Sequence, residues 1–332
     1  EEGNPWGVRF NRMFDMSNDS GLFHTREQLE GDGWTLDGNV FSKGKEQMLP
    51  LYEAKLFHQF NHRLNDFRKV PVESRFGVKA PARKVSGDNL SDVNFSPLPR
   101  YWISSDCSQV SAVSDPPYFL SFRSLVNVST NRRTLVSTVL PISGVGNSCS
   151  FLIGPTGAQL ALFQGVFASF PADFVLRQSI GGSNLNWFIL KQCAVLPEET
   201  VRGQADWITP RVVELLYSTM ALTAFAKDCG WDCRPFPWNE SRRQQIRCEL
   251  DAAFFHLYEI NHGDVDYIME TFPIVKKKDI AEHGTYRTKE RILEIYDEMA
   301  TCRAEGTSWE SPLNPPPGDA RATHNYEPTT ES

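Results

Sequence analysis

The middle of the chain carries short apolar runs separated by turn-forming residues. Between Tyr101 and Pro197 these runs are rich in Val, Phe, Ile and Leu, and Gly, Pro, Asn and Ser interrupt them. Runs of this length, bounded by turn residues, are typical of β-strands. The clearest examples are Tyr118–Leu125, Thr134–Ile142 and Ser150–Ile153. The pattern predicts a β-rich domain.

One helix is expected inside this β-rich region. Within Gln159–Gln178, apolar residues including Leu162 and Val166 recur at helical spacing. Pro171 lies in the same stretch, and proline removes a backbone N–H and clashes with the preceding helical turn. We therefore expect this helix to be broken near Pro171.

The C-terminal part of the chain has apolar residues at helical spacing. A first helix is predicted to begin at Pro210 and to run to Ala226, because proline is favoured in the first turn. Asn239 is a good N-cap for a second helix, and a third is predicted from near Thr288. Beyond Gly306 the prolines and polar residues predict a tail that follows the surface or stays disordered.

Together these patterns predict an α+β fold, with a β-rich domain followed by a small helical subdomain. The expected boundaries are 44–200 for the β-rich domain, 201–304 for the helices and 305–332 for the Pro-rich tail. The chain begins at Glu1 rather than at Met. We therefore expect residues 1–43 to be a connecting segment from a preceding domain.

Charge is distributed unevenly along the 332 residues. The net charge is −7, but residues 44–200 carry 15 basic and 11 acidic side chains, whereas residues 201–332 carry 15 and 22. A basic middle part in an acidic chain is compatible with local phosphate contacts, and also with chance segregation of a few charges.

The remaining composition excludes several classes of protein. Seven scattered cysteines favour thiols in a reducing, cytoplasmic compartment, and Cys229 and Cys233 lack the second pair that a zinc site needs. No apolar run reaches the roughly 20 residues of a membrane helix, so we expect no membrane partner.

One tetrapeptide, Asp115-Pro116-Pro117-Tyr118, has the form that adenine-N6 methyltransferases use to hold a flipped adenine. The catalytic motif follows a buried strand of a parallel sheet, but the residues before Asp115 are largely polar. The glycines of Gly144-Val145-Gly146 follow too closely for a nucleotide-binding βαβ unit. We therefore favour a proline turn that leads into a strand, and a small self-contained methyltransferase is the alternative.

Three stretches are unusually polar. In Leu51–Arg63, a helix would place Lys55, Gln59 and His62 on one face. Gly144–Ser148, with Arg123 and Arg132-Arg133 upstream, and Arg177–Lys191, with its Gly-Gly turn, combine glycine with Arg, Asn and Gln. These side chains can contact base edges and phosphates, although solvated faces and ordinary turns would look similar. An apolar strand is expected directly after the Gly-Gly turn.

At these stretches and in the C-terminal helices, the sequence resembles the C-terminal region of bacterial adenine-specific DNA methyltransferases of restriction-modification and phage-defence systems. The similarity is carried by these phrases: Phe14–Ser20, Leu51–Arg63, Pro99–Trp102, Phe122-Arg123, Gly144–Asn147, Gly181–Lys191 and Asp264–Val275. The Gly181–Pro197 stretch also resembles the end of the recognition domains in type I specificity subunits.

The resemblance implies a target-recognition module that binds double-stranded DNA next to a methyltransferase domain of the same parent protein or complex. It places S-adenosylmethionine in that missing domain, so no cofactor and no catalytic residue are expected in this chain. A protein-docking scaffold remains another alternative. The candidate DNA-binding residues are Lys55, Gln59, His62, Arg63, Arg123, Arg132, Arg133, Asn147, Arg177, Gln178, Gly181, Gly182, Asn184, Asn186 and Lys191.

Overall fold

The computed structural model describes residues 4–77, 80–126, 131–154, 156–180, 184–185 and 187–325. Within these ranges all strands lie between residues 9 and 153, and the longer helices follow them. The sheets are mainly antiparallel and occupy the N-terminal half, with helices in the C-terminal half, so the predicted α+β class is confirmed.

The strands in the described ranges form three sheets. The first contains β1 (Arg9–Asn11), β8 (Tyr118–Arg123), β9 (Ser137–Pro141) and β11 (Cys149–Ile153), in the order β1-β11-β8-β9. The second contains β2 (Thr35–Asp37), β3 (Val40–Lys43), β4 (Glu46–Tyr52), β7 (Trp102–Ser104) and β10 (Gly144–Val145). The third pairs β5 (Asn65–Asp66) with β6 (Arg83–Lys84).

The helices before residue 180 are α1 (Arg26–Gly31), α2 (Val72–Arg75), α3 (Gly87–Ser91), α4 (Ser108–Ser111), α5 (Gly157–Ala168) and α6 (Phe170–Ser179). Those after it are α7 (Trp187–Leu190), α8 (Glu198–Arg202), α9 (Ala205–Leu216), α10 (Thr223–Asp228), α11 (Glu240–Leu257), α12 (His262–Glu270), α13 (Pro273–His283) and α14 (Arg287–Glu305). Among the described helices, none has by itself the length and apolar composition to span a membrane; α5 and α6 do so only as a pair bent by 65°.

Several local predictions are confirmed. The three central apolar runs contain β8, β9 and β11. The helix is interrupted next to Pro171, because the Ser169 hydroxyl caps α6 by accepting a hydrogen bond from the N–H of Ala172. Asn239 caps α11 in the same way, through the N–H of Arg242. α14 begins at Arg287, one residue before the predicted start.

Other local predictions are wrong. The helix expected from Pro210 to Ala226 is α9, which already begins at Ala205 and ends at Leu216, and α10 follows separately. The earlier start buries Ile208 completely in the core. The strand expected after the Gly-Gly turn is the short helix α7 followed by irregular chain. In contrast, the described part of the Pro-rich tail follows the surface, which is one of the two alternatives expected for it, and Arg242 donates hydrogen bonds to the carbonyls of Pro315 and Pro316.

The main hydrophobic core joins the first sheet to the helices. β8, β9 and β11 pack on α5, which is buried nearly all round and contacts α9 and α10 on its other side. A second core lies between the first and second sheets, and a third lies among α6, α11, α12 and α14. The helices α5, α6 and α7 fall within the range 44–200, α8 crosses its end, and all four contribute residues to the same core as the first sheet.

Candidate nucleic-acid interface

The C-terminal end of β8 brings the three polar stretches together. Arg123 donates a hydrogen bond to the carbonyl of Phe57 in the first stretch. The N–H of Ser124 donates to the carbonyl of Ser148 in the second (2.9 Å), and the carbonyl of Ser124 accepts from the N–H of Leu185 in the third (2.8 Å). We define the β8 junction as the segments 57–60, 123–125, 147–148 and 184–185, which these contacts connect, together with 132–133, whose charges act on His58.

The first stretch reaches the junction as a turn and not as a helix. A 3-10 turn, Ala54–Leu56, follows β4. His58 and Asn61 then exchange backbone hydrogen bonds of 2.7 and 2.9 Å, and Phe60 between them has a positive φ of 55°. The helical face expected for Lys55, Gln59 and His62 is therefore wrong, because a closed turn of this kind separates the three side chains.

Lys55 and Gln59 make internal contacts. The ammonium of Lys55 lies 3.3 Å from the carbonyl of Ala80 and 3.4 Å from the carboxylate of Glu53. The amide of Gln59 donates to the carbonyl of Ala168 (2.8 Å) and accepts from the N–H of Ser137 (3.3 Å). Gln59 thus fastens the turn at 58–61 to β9 and to the end of α5.

His62 and Arg63 are buried, so assigning them to a DNA surface is wrong. Burial lowers the pKa of His62 well below its ordinary value, with Arg63 and Arg243 adding to the effect. The Arg63 guanidinium, which has no exposed surface, donates to the carbonyls of Leu90, Asp92 and Ser218 at 2.9–3.2 Å. Both residues therefore belong to the interior of the protein, where Arg63 joins separate segments by hydrogen bonds.

Arg133 and Arg177 share a buried carboxylate. Arg133 contacts Asp173 at 2.7 Å and Arg177 contacts it at 3.4 Å, while Asp173 itself is fully buried. Burial lowers the pKa of Arg177, and Asp173 opposes that change. Each guanidinium also lies 3.9 Å from an aromatic ring, Phe170 or Phe272. The DNA contact expected for Arg133 is therefore wrong. Its charge is compensated by Asp173 inside the protein, and its side chain packs against Phe170.

Four arginines act electrostatically on His58 in the junction. Burial, together with the smaller effects of the charges on Arg123, Arg247, Arg132 and Arg133, lowers the pKa of His58 to about 3. The guanidinium of Arg123 contacts Phe57 in two ways, because it donates a hydrogen bond to the carbonyl of that residue and lies 5.7 Å from the centre of its ring. Arg132 is partly exposed, but its Nε is buried and has no hydrogen-bond partner among the described residues. Arg247 is 30% exposed and pairs with Glu240 at 2.7 Å.

The candidate residues with amide side chains differ in location and in exposure. Asn184 is exposed and forms a β-bridge with the exposed Leu125 at the junction. Asn147 is half-buried and donates to the carboxylate of Asp15 (3.3 Å). Gln178 is exposed at the end of α6. Gly181, Gly182 and Asn186 lie outside the described residues.

A cleft of about 810 Å³ opens beside the junction. Its basic lining residues are Arg9, Arg12 and Lys191, and no Asp or Glu lines it among the described residues. Ser150 lines the cleft and lies with its Oγ 3.0 Å from the Oγ of Ser124, so the cleft adjoins the β8 junction. Sequence reasoning missed Arg9, Arg12 and Arg247. The spacing of Val8, Phe10 and Arg12 is that of one strand face, but such spacing does not by itself indicate a binding site.

The Asp115–Tyr118 motif is a turn that leads into β8, as the sequence favours. Tyr118 is buried, donates a hydrogen bond to Asp228 and packs edge-on against Phe225, so its ring is unavailable for stacking on a base. The Gly144–Gly146 segment does not fit a loop for S-adenosylmethionine. A Cβ on Gly144 would lie 2.8 Å from Ile103, and one on Gly146 would lie 2.7 Å from Met16.

No protein-family model matches the chain, and no curated protein matches its sequence. In the part of the chain that the structure describes, no three His, Cys, Asp or Glu side chains are grouped as metal ligands. The groups present around the C-terminal end of β8 are guanidinium, amide and backbone hydrogen-bond donors.

Proposed function

We propose that this chain binds double-stranded DNA at the β8 junction and reads a target sequence for an adenine-N6 DNA methyltransferase. The observation that carries the proposal is the concentration of guanidinium groups around His58, with Arg132 and Arg247 accessible at its edge. DNA affinity depends on such local positive charge, because each phosphate contact releases counterions.

The arrangement suits the residues to two kinds of DNA contact, with phosphates and with base edges. Arg132 and Arg247 are suited to phosphates, which set the position of the protein on the duplex. Asn184 is exposed beside Leu125, and an amide can make two hydrogen bonds to an adenine edge in the major groove. The link to methyl transfer rests on the sequence resemblance, in which a separate domain carries the cofactor and the catalytic residues.

The proposal is tested by fluorescence anisotropy with a labelled random-sequence duplex over a salt series. We expect affinity to fall steeply with salt, and Arg132→Gln to weaken all duplexes alike and to lower the slope by about one. Lys45→Gln is the matched control: it removes one exposed charge at the β3–β4 turn, at the opposite end of β4 from the turn that leads to the junction. Absence of binding at low salt would contradict the proposal.

Sequence reading is tested with the same protein. Selection from a random duplex library supplies a preferred site, and Asn184→Ala is then compared on that site and on a scrambled one. We expect the variant to lose about 1–3 kcal/mol on the preferred site alone. Equal losses on both duplexes would mean that Asn184 only positions the protein.

A further inference from the structure

The cleft beside the β8 junction is built by an alternating segment at the start of the chain. Val8, Phe10 and Arg12 are spaced by two, which places them on one face of the extended chain around β1. Val8 and Phe10 pack on the main core, and Arg12 extends that face to the solvent. The opposite wall comes from α5 and from the irregular chain that follows α7.

The lining combines an aromatic ring with positive charge. Phe10 is half-buried, and its edge packs against Phe122 at 6.4 Å between ring centres. The ammonium of Lys191 lies 5.8 Å from the centre of the Phe10 ring. Arg9 and Arg12 are exposed at the same opening. A flat ring that bears an anionic group matches this combination, since the ring can contact Phe10 while the anion lies near the arginines.

The size and position of the cleft restrict the class of ligand further. The volume of about 810 Å³ falls within the range of about 300–1,000 Å³ typical of small-molecule sites. This is too little for a duplex but enough for an unpaired nucleotide. Ser150 belongs to the cleft and its hydroxyl touches Ser124 of the β8 junction. The cleft and the β8 junction are therefore neighbours, linked by one side-chain contact.

From this geometry we infer that the cleft binds an unstacked nucleotide of a DNA strand, with the base against Phe10 and the phosphate near Arg9 or Arg12. The inference rests on the proposed function, because it assumes that DNA lies at the β8 junction. Stacking of bases on aromatic side chains tolerates any base sequence, so the cleft would recognise the unpaired state of a nucleotide and not its identity.

The test compares two labelled probes, an intact 20-base-pair duplex and the same duplex with a three-nucleotide single-stranded gap. We expect the protein to bind the gapped probe about fivefold or more tightly. Phe10→Leu keeps an apolar side chain against Phe122 and should abolish the preference without changing affinity for the intact duplex. Arg12→Gln should weaken binding of the gapped probe, and Lys45→Gln should change neither.

A second readout locates the unpaired base. Photo-crosslinking with 5-iodouracil in the gap should modify the tryptic fragment that contains Phe10. Equal affinity for both probes, a retained preference in Phe10→Leu, or a crosslink confined to other fragments would overturn the inference while leaving duplex binding intact. Loss of binding to every probe at low salt would instead overturn the proposed function as well. If circular dichroism shows a lower melting temperature for Phe10→Leu, the inference is still tested by Arg12→Gln, which changes an exposed residue, and by the crosslink.

Discussion

At the scale of single residues, Asp173 determines which of two adjacent arginines can reach a ligand. Its buried carboxylate accepts from the side chain of Arg133 (2.7 Å) and from the N–H of Thr134 (3.0 Å). A buried carboxylate needs such partners, because leaving it uncompensated is costly. Arg133 is therefore held inward, and Arg132 stays at the surface beside His58.

We predict that Arg133→Gln lowers the free energy of unfolding by about 3–5 kcal/mol, because it leaves Asp173 with too little compensating charge. Arg132→Gln removes the same charge one residue away and should cost less than about 1 kcal/mol, as is usual for surface changes. Urea denaturation followed by tryptophan fluorescence measures both. Similar losses in the two variants would show that burial does not separate their roles.

At the scale of elements, the parallel pairing of β10 with β4 depends on a glycine. Gly144 lies opposite Leu51, and a Cβ there would be 2.8 Å from Cγ2 of Ile103 and 2.9 Å from Cδ1 of Leu51. Both neighbours are buried. The absence of a side chain at Gly144 thus serves close packing between β10, β4 and β7, and not the approach of a ligand.

We predict that Gly144→Ala lowers the free energy of unfolding by about 1–3 kcal/mol, since an extra methyl group in a packed core forces its neighbours to move. The control is Gly31→Ala at the exposed end of α1, where a Cβ would meet no atom within 4 Å. That change should be neutral or stabilising by up to about 1 kcal/mol. The account would be contradicted if the denaturation midpoints of both variants were lower than that of the wild type, or if both were higher.

At the scale of the whole molecule, the first sheet and the C-terminal helices bury one another. The same core contains residues of β8 and β11, residues of α5 and residues of α9 and α11. The members that best show this sharing are Phe122, Leu152, Val166, Ile208, Val212 and Phe254. A cut between sheet and helices would therefore expose apolar surface on both sides, and the boundary expected near residue 200 crosses this core.

We predict that a fragment comprising residues 1–203 does not fold independently, because it lacks the side of the core that α9 and α11 supply. Thermal melting by circular dichroism should show no cooperative transition, while the 332-residue chain should show one. Dispersed amide resonances together with a cooperative transition in the fragment would instead establish the sheet region as an autonomous domain.

The sequence by itself determined the elements whose causes are local. Asn239 and Thr288 indicated helix starts within one or two residues, because capping and helical periodicity act over a few positions. The apolar runs likewise located β8, β9 and β11, and Pro171 located the break between α5 and α6. The α+β class follows from these elements.

Only the tertiary structure decided which polar residues meet. Arg123 reaches Phe57 across 66 positions and Arg63 reaches Ser218 across 155. Sequence spacing carries no signal for such contacts, so it could not separate the buried Arg63 and Arg133 from the accessible Arg132. It also missed Arg247, whose charge acts on His58 from α11. The physical reason is that burial and charge compensation depend on neighbours distant in the chain, whereas capping and periodicity depend on adjacent ones.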